Sequence, residues 1–340
     1  MKHLSIKIPG EFSDSFIYSG VLFLVDFDAS LSIINWNNLI KDRLDKESEE
    51  IRKAYSSIFI DISNSRKFNN IEEKELEIDD LNNFLIHKME LSYWPTDINI
   101  FSNKLYFSSE RGLRYIAFNG EKRFSSDAYI KKTENELFDD CKIFSFDIDN
   151  YRTVLCGGSE GGIYSFLSEK SLQILGDDKT NDWIDCNWHE SAEFSILGLK
   201  SKSESRIQKF KNLEAIKGRL NELSEKIKKN GNYTHVNRHL SKVKDLRKKV
   251  YDCARENLLE QYKEYSSKEE ISYIKTRESS LGTFKEEENK LIIRNNQGKI
   301  SEILPDDEVV NWRIFPKAKT HLNQLHLIDN EYIKILGFEL

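Results

Sequence analysis

Paired apolar runs around short polar turns recur along this chain and limit the folds that it can adopt. Each copy has a run rich in Val, Ile, Leu, Phe and Tyr, then Gly, Asn, Asp or Ser, then a second such run. These turn residues tolerate the positive φ angles that tight hairpins need. Six segments follow the pattern, namely residues 20–36, 103–118, 151–167, 192–201, 289–304 and 326–338. The chain is therefore predicted to be built from repeated β-hairpins.

The hairpins resemble the blade elements of β-propellers, loosely those of WD40-type proteins. The resemblance is carried by stretches such as KLYFSSERGLRYI, residues 104–116, although the Gly-His and Trp-Asp signatures are missing. It implies small antiparallel sheets arranged as propeller blades, and it implies no particular function. The five tryptophans flank the β runs and are predicted to pack in the core or between blades.

Two segments interrupt the spacing of the hairpins. Residues 41–90 combine acidic helical stretches at 45–52 and 71–76 with a predicted strand at Ser57–Ile62. The second segment, residues 203–280, has helical periodicity. The predicted organisation is a mainly β body over residues 1–202, with a mixed insertion at about 41–90, a helical insertion over 203–280, and a continuation of the body over 281–340.

Residues 206–255, called here the basic segment, form a local concentration of positive charge. They contain 15 Lys or Arg against 5 Asp or Glu, whereas the whole chain has a net charge of −6. Apolar residues recur in steps of three and four from Ile207 to Ile227 and from Leu240 to Tyr262, which predicts two amphipathic helices. Asn and Gly in Lys229–Asn232 end the first helix. We therefore expect an antiparallel helical hairpin with a coiled-coil-like seam, inserted into the β body.

Outward positions of this hairpin are the predicted partner-binding residues. They are Lys217, Arg219, Lys226, Lys228, Lys229, Arg238, Lys242, Lys244, Arg247, Lys248 and Lys249. Such a cationic face fits several roles: it can be solvated or lie on the chain's own acidic body, bind an acidic protein, or bind nucleic-acid phosphate. Membrane binding is not expected, because the face lacks Trp and Phe.

No complete catalytic or metal-binding motif occurs in the sequence. The glycine-rich stretch 156–162 matches neither the P-loop nor the GxGxxG pattern and is predicted to be a hairpin turn. Cys186 and His189 are close in sequence, but no second Cys/His pair completes a zinc site. His321 and His326 have no neighbouring nucleophile or carboxylate cluster in the sequence. We therefore expect no metal, no cofactor and no catalytic residues.

The predicted function is a non-enzymatic protein-interaction scaffold, or a subunit of a larger complex, that recruits an acidic partner through the basic segment. The first alternative is a nucleic-acid-binding accessory protein, as found in bacterial conflict and antiviral defence systems. The second is an unrecognised hydrolase whose site is assembled from several blades. The four cysteines are isolated in sequence, and no secretory leader precedes Pro9, so a cytoplasmic location is expected.

Overall fold

A computed structural model describes most of the chain and divides it into two compact units. The described residues are 2–60, 75–130, 132–148, 153–158, 163–166, 172–176, 182–190, 194–201, 205–211, 276–279, 281–287, 290–303, 309–318 and 320–339. Unit 1 comprises residues 1–139 and 273–340, and unit 2 comprises residues 140–272. The predicted binding residues, Lys217 through Lys249, lie outside the described residues.

Unit 1 begins with ten strands and two α-helices. The strands are β1 (His3–Pro9), β2 (Phe12–Tyr18), β3 (Val21–Asp26), β4 (Ser30–Asn35), β5 (Glu75–Glu77), β6 (Leu85–Glu90), β7 (Asp97–Phe101), β8 (Lys104–Ser109), β9 (Gly112–Ala117) and β10 (Glu134–Phe138). The helices are α1 (Trp36–Leu44) and α2 (Glu49–Phe59). Single 3-10 turns occupy Asn82–Phe84, Gly120–Lys122 and Ser126–Ala128.

The remaining described strands complete both units. Unit 2 contains β11 (Ser145–Ile148), β12 (Thr153–Cys156), β13 (Ile163–Phe166), β14 (Leu172–Gly176), β15 (Trp183–Glu190), β16 (Phe194–Ser201) and β17 (Ser205–Lys211). Unit 1 continues with β18 (Thr276–Ser279), β19 (Gly282–Glu287), β20 (Lys290–Asn295), β21 (Ile300–Ile303), β22 (Asn311–Ile314), β23 (Gln324–Ile328) and β24 (Tyr332–Phe338).

Six small sheets contain these strands, and nearly all neighbouring strands are antiparallel. In unit 1, sheet A has the order β22-β23-β24-β1-β5, sheet B β2-β3-β4-β6, sheet C β10-β9-β8-β7 and sheet F β18-β19-β20-β21. In unit 2, sheet D has the order β11-β12-β13-β14 and sheet E β15-β16-β17. Four-stranded meanders of this size are the units of β-propellers. The fold is thus mainly β and propeller-like, which confirms the predicted fold class and the resemblance to propeller blades.

Five of the six predicted hairpins are present. Their paired strands are β3–β4, β8–β9, β12–β13, β20–β21 and β23–β24. The turn residues behave as predicted, since Gly112 and Gly298 have φ angles of 92° and 78°. The hairpin predicted at residues 192–201 is wrong, because residues 194–201 form one eight-residue strand, β16, which pairs with a strand on each side.

Three apolar clusters lie between the sheets of unit 1. The first includes residues from sheets A and B together with α1 and α2, the second joins sheets B and C, and the third joins sheets F and A. The sheets of unit 1 therefore pack face to face in the order F, A, B, C. Sheets A and B each contact apolar clusters on both faces, and the central strand β3 contains a continuous apolar run, Val21–Val25.

The insertion between β4 and β6 belongs to the core of unit 1. Asn35 and Ser48 cap α1 and α2, with side-chain oxygens that accept from the amides of Asn38 and Ile51. Buried Tyr55 donates its hydroxyl to the Ser5 carbonyl of β1 at 3.3 Å, and β5 pairs with β1 in parallel. The segment between β4 and β6 of sheet B therefore packs against sheet A at β1.

Several predicted boundaries are wrong. The predicted strand at Ser57–Ile62 begins inside α2, and the predicted helical stretch 71–76 ends in β5. The predicted helical insertion 203–280 contains a strand near each end, because β17 covers residues 205–211 and β18 covers residues 276–279. β17 pairs with β16 along its whole length, so the helical interpretation of Ile207 is incorrect. Residues 212–275 lie outside the described residues.

Candidate acidic binding edge

Strand direction places a group of short connections of unit 1 at one edge of sheets A, B and C. We call these connections, residues 10–11, 27–29, 91–96, 110–111, 139 and 329–331, the acidic edge. Backbone hydrogen bonds join neighbouring members, from Gly10 to the Glu331 carbonyl at 2.7 Å and from Leu91 to the Ala29 carbonyl at 3.0 Å.

The charge of this edge is almost entirely negative. Its exposed ionisable residues are Glu11, Asp28, Glu110, Arg111, Asp139 and Glu331. None of the five acids forms an ion pair within the described part of the chain. Several negative charges on one edge make the local potential negative, and this potential attracts cationic groups.

Two further aspartates build the turns from which these acids project. One carboxylate oxygen of Asp26 accepts from the amides of Asp28 and Ser30 at 3.0 and 2.8 Å. The Asp329 carboxylate caps the next sheet's turn in the same way, accepting from Glu331 and Tyr332 at 2.8 and 2.7 Å. Both aspartates therefore stabilise turns by accepting hydrogen bonds from backbone amides, which is a common role of Asp.

The opposite edge of the same sheets has the reverse balance. Apart from the helical insertion, its described connections carry the bases Lys122, Arg123, Lys132 and Lys317 and the acids Glu121 and Asp127, and Lys299 lies in the β20–β21 turn of sheet F. This contrast holds for the connections outside the helical insertion, because the insertion itself exposes both acids, such as Asp42, Asp45 and Glu50, and bases, such as Lys41, Lys46 and Arg52.

Two large apolar side chains are exposed on the acidic edge. Phe27 is 43% exposed in the β3–β4 turn, and Trp94 is 49% exposed in the connection to β7. Trp94 therefore departs from the prediction that all tryptophans are buried, whereas Trp36, Trp183 and Trp312 are almost completely buried.

The loop that carries Trp94 is fixed at both ends. The Ser92 amide donates to Glu134 at 2.9 Å, and the Thr96 amide donates to the Ser108 carbonyl at 2.9 Å. Arg114 lies 4.9 Å from the centre of the Tyr93 ring. Exposed aromatic residues on a fixed backbone lose little conformational entropy on binding a partner.

Beneath this edge, Arg313 joins the first strands of three sheets. Its guanidinium on β22 forms ion pairs with Asp14 on β2 and with Asp97 on β7, the latter at 2.6 Å. Asn311 donates a further hydrogen bond to Asp14 at 3.2 Å. Burial disfavours the charge of Arg313, but the two carboxylates raise its pKa above the usual value. Both carboxylate oxygens of Asp14 accept hydrogen bonds here, so the role of this cluster is structural. We call Arg313, Asp14 and Asp97 the Arg313 clasp.

Ser15 and His326 form a buried pair next to the clasp. The Ser15 hydroxyl lies 2.9 Å from His326 Nδ1, and neither residue is exposed. Burial, together with His321 and Arg313 nearby, holds the pKa of His326 well below its usual range. His326 has no neighbouring nucleophile in the sequence, and the fold brings Ser15 of β2 next to it. A substrate cannot reach this pair, because both side chains have zero exposure.

Cys156 and Cys186 are buried and contact each other within unit 2. Cys186 is buried, and a hydrogen bond with Cys156 and desolvation raise its pKa well above the usual value. A thiol in that state is a poor nucleophile and a poor ligand. No group of three or more metal-ligating side chains occurs among the described residues.

The acidic edge was missed by the sequence analysis, although its residues stood in the predicted turns. Asp28, Glu110 and Asp329 each lie in a predicted hairpin turn. Their common location follows only when strand direction and the order of the sheets are known. The direction of successive hairpins could be read from the sequence, whereas the order in which the sheets pack could not.

Comparisons with known proteins give likenesses in fold only. No protein-family model matches the chain, and no curated protein matches its sequence. Similar solved structures include Sqt1 of Saccharomyces cerevisiae, with 10% identity, a TM-score of 0.43, and coverage of 94% of this chain and 81% of that chain. The AfRom2 CNH domain has 7% identity, a TM-score of 0.42, and coverage of 97% and 81%. The N-terminal domain of Nup159 has 7% identity, a TM-score of 0.40, and coverage of 97% and 76%. These identities are too low to indicate what this chain binds.

Within the described part of the chain, every helix is too short or too polar to cross a membrane.

Proposed function

We propose that this chain is a protein-binding module that recognises a Lys- or Arg-rich segment of another protein at the acidic edge. The observation that carries the proposal is the charge of this edge, which exposes five acids and one Arg, whereas bases predominate in the opposite connections outside the helical insertion. Complementary charge increases the association rate and selects among partners. This proposal keeps the scaffold role predicted from the sequence and assigns the binding surface to unit 1.

Trp94 and Phe27 supply the apolar part of the proposed surface. Aromatic side chains dominate the binding energy of many interfaces, and Trp is the best aromatic partner for a cation. A Lys or Arg side chain over Trp94 gains this attraction while the surrounding carboxylates attract its charge. The expected partner therefore combines basic residues with apolar residues in one exposed segment.

Site-specific photo-crosslinking tests the proposal in cells. A photoreactive phenylalanine analogue is placed at position 94, and at Phe124 as the matched control, because Phe124 is 40% exposed on the opposite edge. We expect position 94 to capture a protein that position 124 does not capture. The captured segment should be rich in Lys or Arg when it is mapped by mass spectrometry.

Charge reversal then tests the role of the carboxylates. Replacing Asp28, Glu110 and Glu331 by Lys should abolish crosslinking from position 94, because the replacements reverse the charge of exposed residues without altering the buried clasp. The matched variant reverses Lys122, Lys299 and Lys317 to Glu and should keep the crosslink. Equal capture from both positions, or capture unaffected by the first triple variant, contradicts the proposal.

A second candidate function uses the basic segment. The support for it is the sequence charge of residues 206–255, with 15 Lys or Arg against 5 Asp or Glu. The partner is then an acidic protein or a nucleic acid, and in the second case the chain acts as an accessory protein of the kind found in defence systems. Nucleic-acid affinity should fall steeply with salt, with a slope of about 0.9 per phosphate contacted on duplex DNA. Replacing Lys244, Arg247, Lys248 and Lys249 by Glu should abolish this binding, and an unchanged affinity contradicts it.

A further inference from the structure

A cavity of about 210 Å³ lies inside unit 1, between the outer strand of sheet F and the outer half of sheet A. Its walls come from β21 on one side and from β1, β23 and β24 on the other. It borders the acidic edge at Asp329 and does not include the Arg313 clasp, and neither proposed function uses it.

The inner part of the cavity is apolar. Leu327, Ile328 and Leu336 are at most 5% exposed and form its floor, and half-buried Ile303 and Val309 form its inner wall. Leu327 and Leu336 belong to the apolar cluster that joins sheets F and A. Because the floor belongs to a packed core, it cannot collapse to fill the space without disturbing that core.

The outer part of the cavity is polar, and its side chains are held in place. The His3 ring packs against Phe338 with centroids 5.8 Å apart, and Lys7 Nζ lies 3.8 Å from the centre of the Tyr332 ring. Lys334 forms an ion pair with Glu75 at 2.8 Å. The polar rim is therefore preorganised, which lowers the entropic cost of binding a ligand.

The charges around the cavity are already balanced. Lys334 is paired with Glu75, and Glu302 is paired with Lys290 at 3.1 Å. The carboxylate of Asp329 accepts two backbone amides of its own turn. A charged ligand would have to displace one of these interactions, whereas a neutral ligand would not.

We propose that this cavity binds a small neutral molecule with a branched aliphatic group and an amide or hydroxyl at one end. The aliphatic group lies on Leu327 and Leu336, and the polar end reaches the rim at Tyr332, where Asp329 also lies. The volume is below the range of about 300–1,000 Å³ that is usual for drug-sized ligands, so the ligand is small.

Methyl NMR of the full chain tests the proposal with a defined probe. N-acetyl-leucinamide is titrated into protein with labelled Ile, Leu and Val methyl groups, and N-acetyl-glycinamide is the matched control without the aliphatic group. We expect saturable shifts at the methyls of Ile303, Leu327 and Leu336 in the low-millimolar range. The glycine probe should cause no saturable shift at these methyls. Shifts that do not saturate, or equal shifts with both probes, overturn the proposal.

A filled cavity provides the second test. Val309→Phe places a larger side chain in the space and should weaken probe binding at least tenfold while the other methyl signals stay dispersed. If Val309→Phe loses signal dispersion, Ile303→Phe fills the same space from β21 and replaces it. Undiminished binding by a folded filled variant refutes the site.

Discussion

Arg313 determines how firmly three strands of unit 1 hold together. Its ion pairs with Asp14 and Asp97 are largely shielded from water, because the three side chains are 9–17% exposed. Replacing Arg313 by Met leaves two carboxylates close together in a buried place. Removing one partner of such a buried pair typically costs about 3–5 kcal/mol. Urea denaturation should show a loss of this size in the free energy of unfolding.

An exposed ion pair of the same chain is the control for this loss. Lys53 and Glu49 are 2.6 Å apart on α2, but their side chains are 76% and 79% exposed. Lys53→Met should therefore change the free energy of unfolding far less than Arg313→Met does. Equal losses for both variants would mean that burial does not govern the strength of the Arg313 clasp.

His326 should make the fold sensitive to mild acid. Burial lowers its pKa in the folded state, whereas the imidazole of an unfolded chain titrates near 6.5. Below that pH the unfolded state binds a proton that the folded state refuses, so the free energy of unfolding decreases as the pH falls from about 7.5 to 5.5. Urea denaturation over this range should show the decrease, and His326→Phe should make it shallower. An unchanged slope in the variant would assign the effect to other groups.

The β8–β9 hairpin depends on a glycine at the first residue of its second strand. Gly112 has φ of 92°, and a Cβ atom there would lie 1.9 Å from the Phe138 carbonyl oxygen. Gly298 also has positive φ, at 78°, but has no atom within 4 Å of its Cβ position. Gly298→Ala should therefore cost about 1 kcal/mol of backbone strain, and Gly112→Ala clearly more. Thermal unfolding of both variants compares the costs, and equal shifts in Tm would contradict the steric explanation.

Hairpins were predictable from the sequence, whereas the helical insertion was not. Each hairpin has a local sequence pattern, because its turn residues are adjacent in sequence to the two strands that the turn joins. The strand predicted at Ser57–Ile62 failed because β-branched composition was given more weight than helical spacing. Ala54, Tyr55, Ile58 and Phe59 are buried together on one side of α2, which Ser48 caps. The cap and the spacing were local signals for a helix, whereas its contact with sheet A is distant in sequence and could not be predicted from the local pattern.

Charge illustrates the same limit for the molecule as a whole. The basic segment is contiguous, so its net charge of +10 can be counted directly in the sequence. The acidic edge is assembled from six connections between Gly10 and Glu331, and no stretch of sequence contains it. Its members become neighbours only because successive meanders run in the same direction. Surfaces of this kind require the order and direction of strands before they can be predicted.

Sheet A joins the first strand of the chain to the last ones, and unit 1 should depend on this closure. β1 pairs with β24 over seven residues, and Leu4, Ile6 and Ile8 of β1 are completely buried. Burying each such side chain contributes about 1.5–3 kcal/mol, so deletion of residues 2–9 should abolish the cooperative unfolding transition.

A circular permutant separates the loss of β1 from the loss of its connection. The Glu339 amide donates to the Lys2 carbonyl at 3.3 Å, so a short linker can join the two ends. New ends are placed in the exposed turn at Gly298, which has open space around it. This permutant keeps every strand of sheet A and should unfold cooperatively in urea, unlike the deletion variant. A deletion variant with an unchanged transition would show that unit 1 is stable without closure by β1, and a permutant that fails to fold would show that chain order matters as well as strand pairing.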